Sequence, residues 1–557
     1  MNWWPFKRHS TADTKPARLR QSQAANRDGG RVYFDGAATG RHSDKHFLSA
    51  DGSDLGSLIA ADITALRNRC NYEIANNGYA KGIVNSYAQH VVDTGPRLQI
   101  KATDPNDPFP PTVESEFAAW AEVCDVEGRQ SFAEILQLGL KQIFGTGDHL
   151  VVFTRAKRAD SATPVQLRLK VYEAHRLATP LAFMGDDDVA DGIRYDPETG
   201  APTEYYIAQK HPGSSRHLAL QDKYDAVPAA QVIHLYDLER PEQGRGAPRL
   251  QPSLNIFSQL RRWTLACLSS AEFAANIAAF LKSTADVIDE DAQDPNVMEE
   301  LELYRNALMT LPRGWDVSQI KTEQPPTTFK EFKRELINEG ARPVSMPLNI
   351  ALGNSEGYNY SSGRLDHQSF FRAIHVEQAY LSRHICNRVL LEWLREAARI
   401  PGYLPSTRSL RVGTPTISPA QRGDSRWHTS ATLRFNAVGL PKAAKPDTVY
   451  WFWRGQEHVD PQKEATARAT NLKIGATTLP DEYAKEGKDW EPQLNQRALV
   501  ARRALDLVKA AKADGYPEIK PEHLCPHIFG EPAAPAAKAL PDPADDGDKP
   551  DPEDPDE

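Results

Sequence analysis

The stretch from Arg240 to Lys282 constrains the fold more than any other part of the chain. It opens on Arg240-Pro241-Glu242-Gln243-Gly244-Arg245-Gly246-Ala247-Pro248-Arg249, then runs to Lys282 with no Gly or Pro after Pro252. Between Trp263 and Leu281 the sole formal charge is Glu272. Small residues (Ala266, Ser269, Ser270, Ala271, Ala274, Ala275, Ala278, Ala279) are interleaved with Leu265, Leu268, Phe273, Ile277 and Phe280. A helix of about thirty residues is about 45 Å long, against about eleven or twelve residues for an average globular helix. Small residues admit neighbouring helices closely, so the spacing predicts a rod seated in an array of others. An ordinary buried helix of a large domain would show the same periodicity. A membrane span needs about twenty apolar residues, but Glu272, Asn276 and the alanine-rich surface around them argue against lipid.

A chain of 557 residues exceeds one core and divides into several compact units. The net charge of -9 is unevenly placed, since 541–557 carry nine acids and one Lys. The rest is therefore about neutral, which excludes a broadly basic nucleic-acid-binding surface. Five cysteines without a CxxC pair fit a reducing compartment. The start, Met1-Asn2-Trp3-Trp4-Pro5-Phe6-Lys7-Arg8, lacks the apolar run of a signal peptide, so export by that route is not expected.

Residues 1–31 hold seven Lys or Arg against two Asp and form the head of a basic arm predicted to be disordered. Leu55, Leu58, Ile59, Ile63 and Leu66 recur at helical spacing, Asn76-Asn77-Gly78 breaks the helix, and Tyr79, Ile83, Val84 and Tyr87 begin another. Short helices are predicted around Phe117–Trp120 and over 132–144. Gly145-Thr146-Gly147-Asp148 reads as a turn before the strand His149–Phe153. Further strands are expected at 166–172, 203–209 and 231–236. Beyond the long helix, 283–326 is a polar excursion with a short helix at 298–310. A capped helix follows Thr327 or Thr328, with Phe329, Phe332 and Leu336 on one stripe and Lys330, Lys333 and Arg334 off it. Asn354-Ser355-Glu356-Gly357-Tyr358-Asn359-Tyr360-Ser361-Ser362-Gly363-Arg364 reads as a loop, and a long amphipathic helix follows. Asp460-Pro461 reads as a helix start and 482–512 as helical, whereas Pro, Ala and Asp dominate from Glu531 onward.

Two catalytic signatures are missing from the sequence: GxxxxGK[ST] and HExxH do not occur. His523-x-Cys525-x-His527 resembles a ligand cluster but lacks a second pair, so no metal and no cofactor are expected.

In order along the chain, Leu66-Arg67-Asn68-Arg69 and Asn76-Asn77-Gly78-Tyr79-Ala80 are followed by Val232-Ile233-His234. Then come Arg240-Pro241-x-Gln243-x-Arg245-Gly246-x-Pro248 and Asn359-Tyr360-Ser361-Ser362-x-Arg364. Trp453, Asp460-Pro461-x-Lys463-Glu464 and Gly487-x-Asp489-Trp490-Glu491 complete the series. Together these motifs resemble those of the portal proteins of tailed bacteriophages, lambda-type. Ala75 stands where that family has Arg, and Val91-Val92-Asp93-Thr94-Gly95 departs from its usual VVGTG.

The resemblance implies an α+β, ring-forming portal fold with a mixed α/β wing, long stem helices, a clip, a tunnel loop and a helical crown. It divides the chain into a basic arm (1–54), wing (55–252), stem helix (253–282), clip (283–326), second stem helix and connection (327–352), tunnel loop (353–366), crown helix (367–402), C-terminal wing/crown region (403–530) and acidic tail (531–557). It implies a ring, dodecameric in the virion, at one capsid vertex, with double-stranded DNA passing during packaging and ejection. Implied partners are the terminase large subunit, a head-tail adaptor, and the major capsid and scaffold proteins; assembly would take place in the host cytoplasm. No enzymatic activity is implied. The candidate channel residues are Asn354, Tyr358, Asn359, Tyr360, Ser361 and Ser362, with Lys330, Lys333 and Arg334. Arg240, Gln243, Arg245, Gly246 and Pro248 form a structural motif. The three cations either face the lumen or solvate a helix face, and the tyrosines either brush DNA or pack the loop. The alternative function is a metal-dependent nuclease using the acids of 286–294.

Overall fold

The computed structural model describes residues 52–101, 109–156, 163–214, 223–276, 280–283, 315–318, 329–405, 411–412, 430–436, 447–454, 461–485 and 490–513, and beyond these 516, 518, 520–525 and 528. The chain divides into two units, 1–58 and 59–557. In the first, Asp54 accepts hydrogen bonds from Ser57 N and Oγ at 2.8 and 2.6 Å, which supports the opening of helix α1 (Leu55–Asn76). The break at Asn76-Asn77-Gly78 is a cap: Asn77 adopts extended backbone and its side chain accepts from Tyr79 N and Ala80 N to start α2 (Gly78–Val92). Strand β1 (Arg97–Lys101) and helix α3 (Phe109–Ala121) follow. A reciprocal Ser131–Glu134 capping box starts α4 (Phe132–Thr146), and Gly147 ends it in left-handed backbone.

The wing is built on antiparallel sheets. Strand β2 (Asp148–Arg155) lies between β3 (Leu167–Tyr172) and β8 (Val232–Tyr236), with Val151 opposite both Val171 and Ile233. Its first six residues are buried, and of these Leu150–Phe153 form an unbroken apolar run without alternation. A second sheet orders β4 (Val189–Ala190), β5 (Ile193–Tyr195), β6 (Pro202–Ala208) and β7 (Tyr224–Pro228).

Helix α5 (Leu254–Asn276) pairs with α6 (Phe329–Ala341): Trp263 stacks on Phe329 at 4.7 Å and meets Phe332 edge-on at 4.8 Å. Ser253 Oγ donates to Gly340 O at 2.7 Å, and a Cβ on Gly340 would come within 3.3 Å of the Phe257 ring. The predicted helix to 282 ends sooner, because Phe280–Ser283 form strand β9 opposite β10 (Trp315–Ser318). No Gly or Pro marks that end, and hairpin pairing overrides the helical pattern. The remainder of the expected clip, including 286–294 and the helix at 298–310, lies outside the described residues, as do Thr327 and Thr328.

Helix α7 (Leu348–Leu352) leads to the next correction: the loop expected over 353–366 stops at Asn359, whose side chain accepts from Ser362 N in a capping box that opens α8 (Tyr360–Leu381). Tyr360, Ser361, Ser362 and Arg364 are therefore helical. Asn and Ser, read as loop formers, are cap residues here. The helix expected from 367 thus begins at Tyr360. It continues through a π turn (Ser382–Cys386) into α9 (Asn387–Ala397). Phe117, Trp120, Trp393, Phe144 and Phe370 fill the main core beneath it.

Strands β11 (Arg411–Val412), β12 (Ser430–Asn436) and β13 (Asp447–Phe452) join β1 in a sheet ordered β1-β13-β12-β11. Trp451 Nε1 donates to Asn387 Oδ1 at 2.7 Å and Trp453 Nε1 to Ser382 Oγ at 2.9 Å, tying β13 to α9 and the residue after it to the π turn. Helices α10 (Pro461–Lys473), α11 (Leu479–Lys485), α12 (Trp490–Ala513) and α13 (Pro521–Leu524) complete the described chain. Asp460, His527 and residues 1–51 and 531–557 lie outside it. No described helix is long and apolar enough to cross a membrane.

Candidate nucleic-acid interface

The Arg240–Pro248 motif is a buried lock, positioned where the wing hands over to α5. Its centre is Asp148, fully buried at the start of β2. One carboxylate oxygen accepts from Arg67 Nη2 at 2.7 Å and Arg245 Nε at 2.8 Å; the other accepts from Gly246 N at 2.7 Å and faces His234 Nε2 at 3.1 Å. Burial alone would raise the Asp148 pKa. Arg245, then His234 and Arg67, hold it well below the usual carboxylate range. Burial and the neighbouring Arg245 bring Arg67 down to about 10. Burial also lowers His234, against the pull of Asp148.

Arg245 spends its remaining donors on the carbonyls of Leu177, Asp191 and Ala174 at 3.1, 2.8 and 3.0 Å. Gln243 works only on backbone: its amide donates to Asp237 O and Arg245 O, and its oxygen accepts from Glu239 N and Arg240 N. Gly246 is required by closeness, since a Cβ there would lie 2.1 Å from Gly147 O, and one on Gly147 would lie 2.2 Å from Gly246 O. Pro248 O accepts from Gln251 N at 2.8 Å in the turn entering α5. Next to the motif, Arg249 is paired with Asp237 and Glu377. The motif therefore fixes the chain where it enters α5.

The channel candidates gather elsewhere, around the loop 353–359. Lys330 Nζ is ion-paired with the Glu356 carboxylate, and the Arg334 guanidinium approaches Glu356 O at 3.4 Å. Glu356 is held below the usual carboxylate range by Lys330. Lys333 lies apart from them, over the Tyr79 ring at 5.2 Å and the Phe329 ring at 5.9 Å. Asn354 Oδ1 accepts from Glu356 N, Tyr358 N donates to Ser355 O, and Gly353 and Gly357 take positive φ. Tyr358 is half-buried and Asn359 is the cap of α8. Thus Lys330, Arg334 and the loop come together, Lys333 turns to an aromatic face, and 240–248 is a separate site.

Comparison with known proteins decides the family. The description "Phage portal protein, lambda family" matches residues 44–378, more than half of the chain. The chain belongs to the lambda family of phage portal proteins. That match takes in the lock, helices α5 and α6 and the loop 353–359. The chain is also 24% identical over 500 residues to the "Probable portal protein" of Halomonas phage phiHAP-1, covering 85% of this chain and 88% of that one. Among solved structures it is similar to a chain of the "Virion of native gene transfer agent (GTA) particle", with TM-score 0.39 and 14% identity over 63% of this chain and 85% of that one. An HK97 family phage portal protein from Corynebacterium diphtheriae gives TM-score 0.27 and 11% identity over 57% of this chain and 91% of that one. The family match carries the α+β portal fold and gives the nuclease alternative no support.

Sequence reasoning missed Asp148, which it placed in a plain turn, and Glu356 as the partner of the stem cations. For Asp148 a signal existed: a carboxylate two residues before the apolar run Leu150–Phe153, at the start of a buried strand, needs cations.

Proposed function

We propose that this chain is one subunit of a closed ring, dodecameric in the virion, through which double-stranded DNA passes during packaging and ejection. In this reading the ring occupies one vertex of the head and is a conduit, not a catalyst. The terminase large subunit drives the DNA, a head-tail adaptor docks after filling, and major capsid and scaffold proteins surround the ring during assembly in the host cytoplasm.

Membership of the lambda portal family over residues 44–378 carries the reading. Two features of the stem support it. Leu265 and Leu268 on α5 and Phe332 on α6 are 57%, 55% and 47% exposed in the single chain. Burying a fully exposed Leu or Phe is worth about 1.5–3 kcal/mol, so covering the exposed half of each with a neighbouring subunit is worth about 1 kcal/mol. In addition, Glu356 neutralises Lys330 beside the loop, so a loop facing DNA would present little net charge and oppose sliding weakly.

Electron micrographs of the purified protein test the ring directly: rings with a central hole are expected. Leu268→Glu should reduce them to small oligomers by mass measurement. Intact rings in that variant would remove α5 from the subunit interface, and no rings in the wild type would overturn the conduit. A metal-dependent DNA-cleavage assay should remain blank.

A further inference from the structure

Three side chains of the wing lie together outside the lock and the loop. Glu173 precedes the 3-10 turn Ala174–Arg176, His175 lies within that turn, and His211 belongs to the turn beyond β6. The backbone around them is well held. Ala174 O accepts from Arg245 Nη2 at 3.0 Å, and the Arg176 side chain donates to Ala208 O and Gln209 O at 2.8 and 2.5 Å. Glu173 sits between the two imidazoles, with Oε1 3.4 Å from His175 Nδ1 and Oε2 3.2 Å from His211 Nε2. The rings are 5.3 Å apart, and one ligand atom from each of the three residues lies within 4.8 Å of the other two.

The two contacts of Glu173, made through different oxygens, have the spacing of neighbouring donors in a metal's coordination sphere, and the third side of the triangle, within 4.8 Å, has to close further on binding. Bonds of about 2.0–2.2 Å to a tetrahedral ion place neighbouring donors about 3.2–3.6 Å apart. His175 Nδ1 is buried and makes no hydrogen bond in spite of its ion-pair distance to the carboxylate. Glu173 also lines a cleft of about 680 Å³ where Asp125, Glu127 and Glu134 outnumber Arg129 and Lys141.

We propose that Glu173, His175 and His211 bind a divalent transition-metal ion, zinc by preference, with water completing the sphere. Two imidazoles and a carboxylate suit zinc; magnesium and calcium take oxygen ligands. His211 shows what binding displaces. Its Nδ1 accepts from Gly213 N at 3.0 Å, so the neutral ring carries its proton on Nε2 and donates it to Glu173. Zinc at Nε2 shifts that proton to Nδ1 at the expense of the Gly213 hydrogen bond, in a turn open to solvent. The ion then clamps the turn after β3 to the turn after β6, beside the carbonyl that Arg245 holds.

Zinc content tests the proposal. Full-length protein carrying no histidine tag is stripped with chelator, dialysed against zinc chloride and then against buffer, and its zinc per chain is measured. Wild type should hold one more ion per chain than His211→Gln or Glu173→Gln, both at partly exposed side chains, with the mass of the assembled species unchanged. Equal zinc in all three would overturn the proposal and leave only a histidine–carboxylate hydrogen-bonded pair. Cobalt(II) supplies a reading independent of any variant. Intense visible bands of a four- or five-coordinate site are expected in wild type, and the weak spectrum of six-coordinate aquo cobalt alone would refute the site.

Discussion

Asp148→Asn probes the lock most directly. The substitution preserves shape and leaves one oxygen able to accept from Gly246 N, but removes the charge that balances Arg67 and Arg245. Both guanidinium side chains are only 6% exposed, so water cannot replace the lost partner. Breaking a buried pair from one side costs about 3–5 kcal/mol. For a domain of 150–250 residues, at about 2–4 °C per kcal/mol, the melting temperature should fall by about 6–20 °C. Replacing the two arginines by Met as well should not restore it, because the carbonyls of Leu177, Asp191 and Ala174 would then lose their donor. Tryptophan fluorescence on heating, at pH 7, supplies the assay. The pH dependence has a definite sign: the Asp148 pKa is depressed by folding, so its stabilisation is present above the unfolded value of about 4 and is lost as pH falls below it. The gap between wild type and variant should therefore stay constant from pH 7 to 5 and narrow below pH 4. A fall of less than about 2 °C at neutral pH would refute the claim that this carboxylate balances the two cations.

Burial lowers His149 to about 3, so unfolding takes up a proton between that value and the unfolded pKa of about 6.5. Wild type should lose about 2 kcal/mol between pH 6.5 and 5, and His149→Gln should lose this part of the slope in urea titrations. Gly246→Ala places a Cβ 2.1 Å from Gly147 O, where backbone cannot yield, and should leave little soluble protein on expression; normal yield and melting would show that the two loops can part. Glu356→Gln removes an exposed ion pair with Lys330 and should change melting by about 2 °C or less, while making DNA passage slower and more salt-dependent in a packaging assay. An unchanged packaging rate would place the loop away from the DNA.

Local signals in this chain were legible wherever one residue settles the backbone. Asn77 both breaks α1 and caps α2, and the buried strand β2 declares itself as an apolar run. Helix α6 was also readable, because Phe329, Phe332 and Leu336 fall on one stripe, although nothing in the sequence showed that the stripe meets Trp263. What escaped depends on distance along the chain. Arg67 and Asp148 are 81 residues apart and Asp148 and Arg245 are 97 apart, so nothing in either neighbourhood names the partner. The early end of α5 was hidden for a similar reason, since Phe280–Ser283 become a strand only through Trp315–Ser318. At the loop the ambiguity was chemical: Asn359 and Ser362 suit a loop or a cap equally well until the helix behind them is seen. Lys330 and Arg334 could be placed on a helix face, but not joined to Glu356.

The two charge clusters differ in what ions in solution can do to them. Asp148 and its arginines are sealed from solvent, so electrolyte leaves the wing joint as strong in brine as in dilute buffer. Lys330 and Glu356 are 61% and 57% exposed, and their attraction fades over a screening length of about 8 Å at physiological ionic strength. DNA travels inside its own condensed cloud of cations. In a conduit, that cloud would bathe the loop and spare the wing, loosening the loop's tether while DNA is present and restoring it once the duplex has gone.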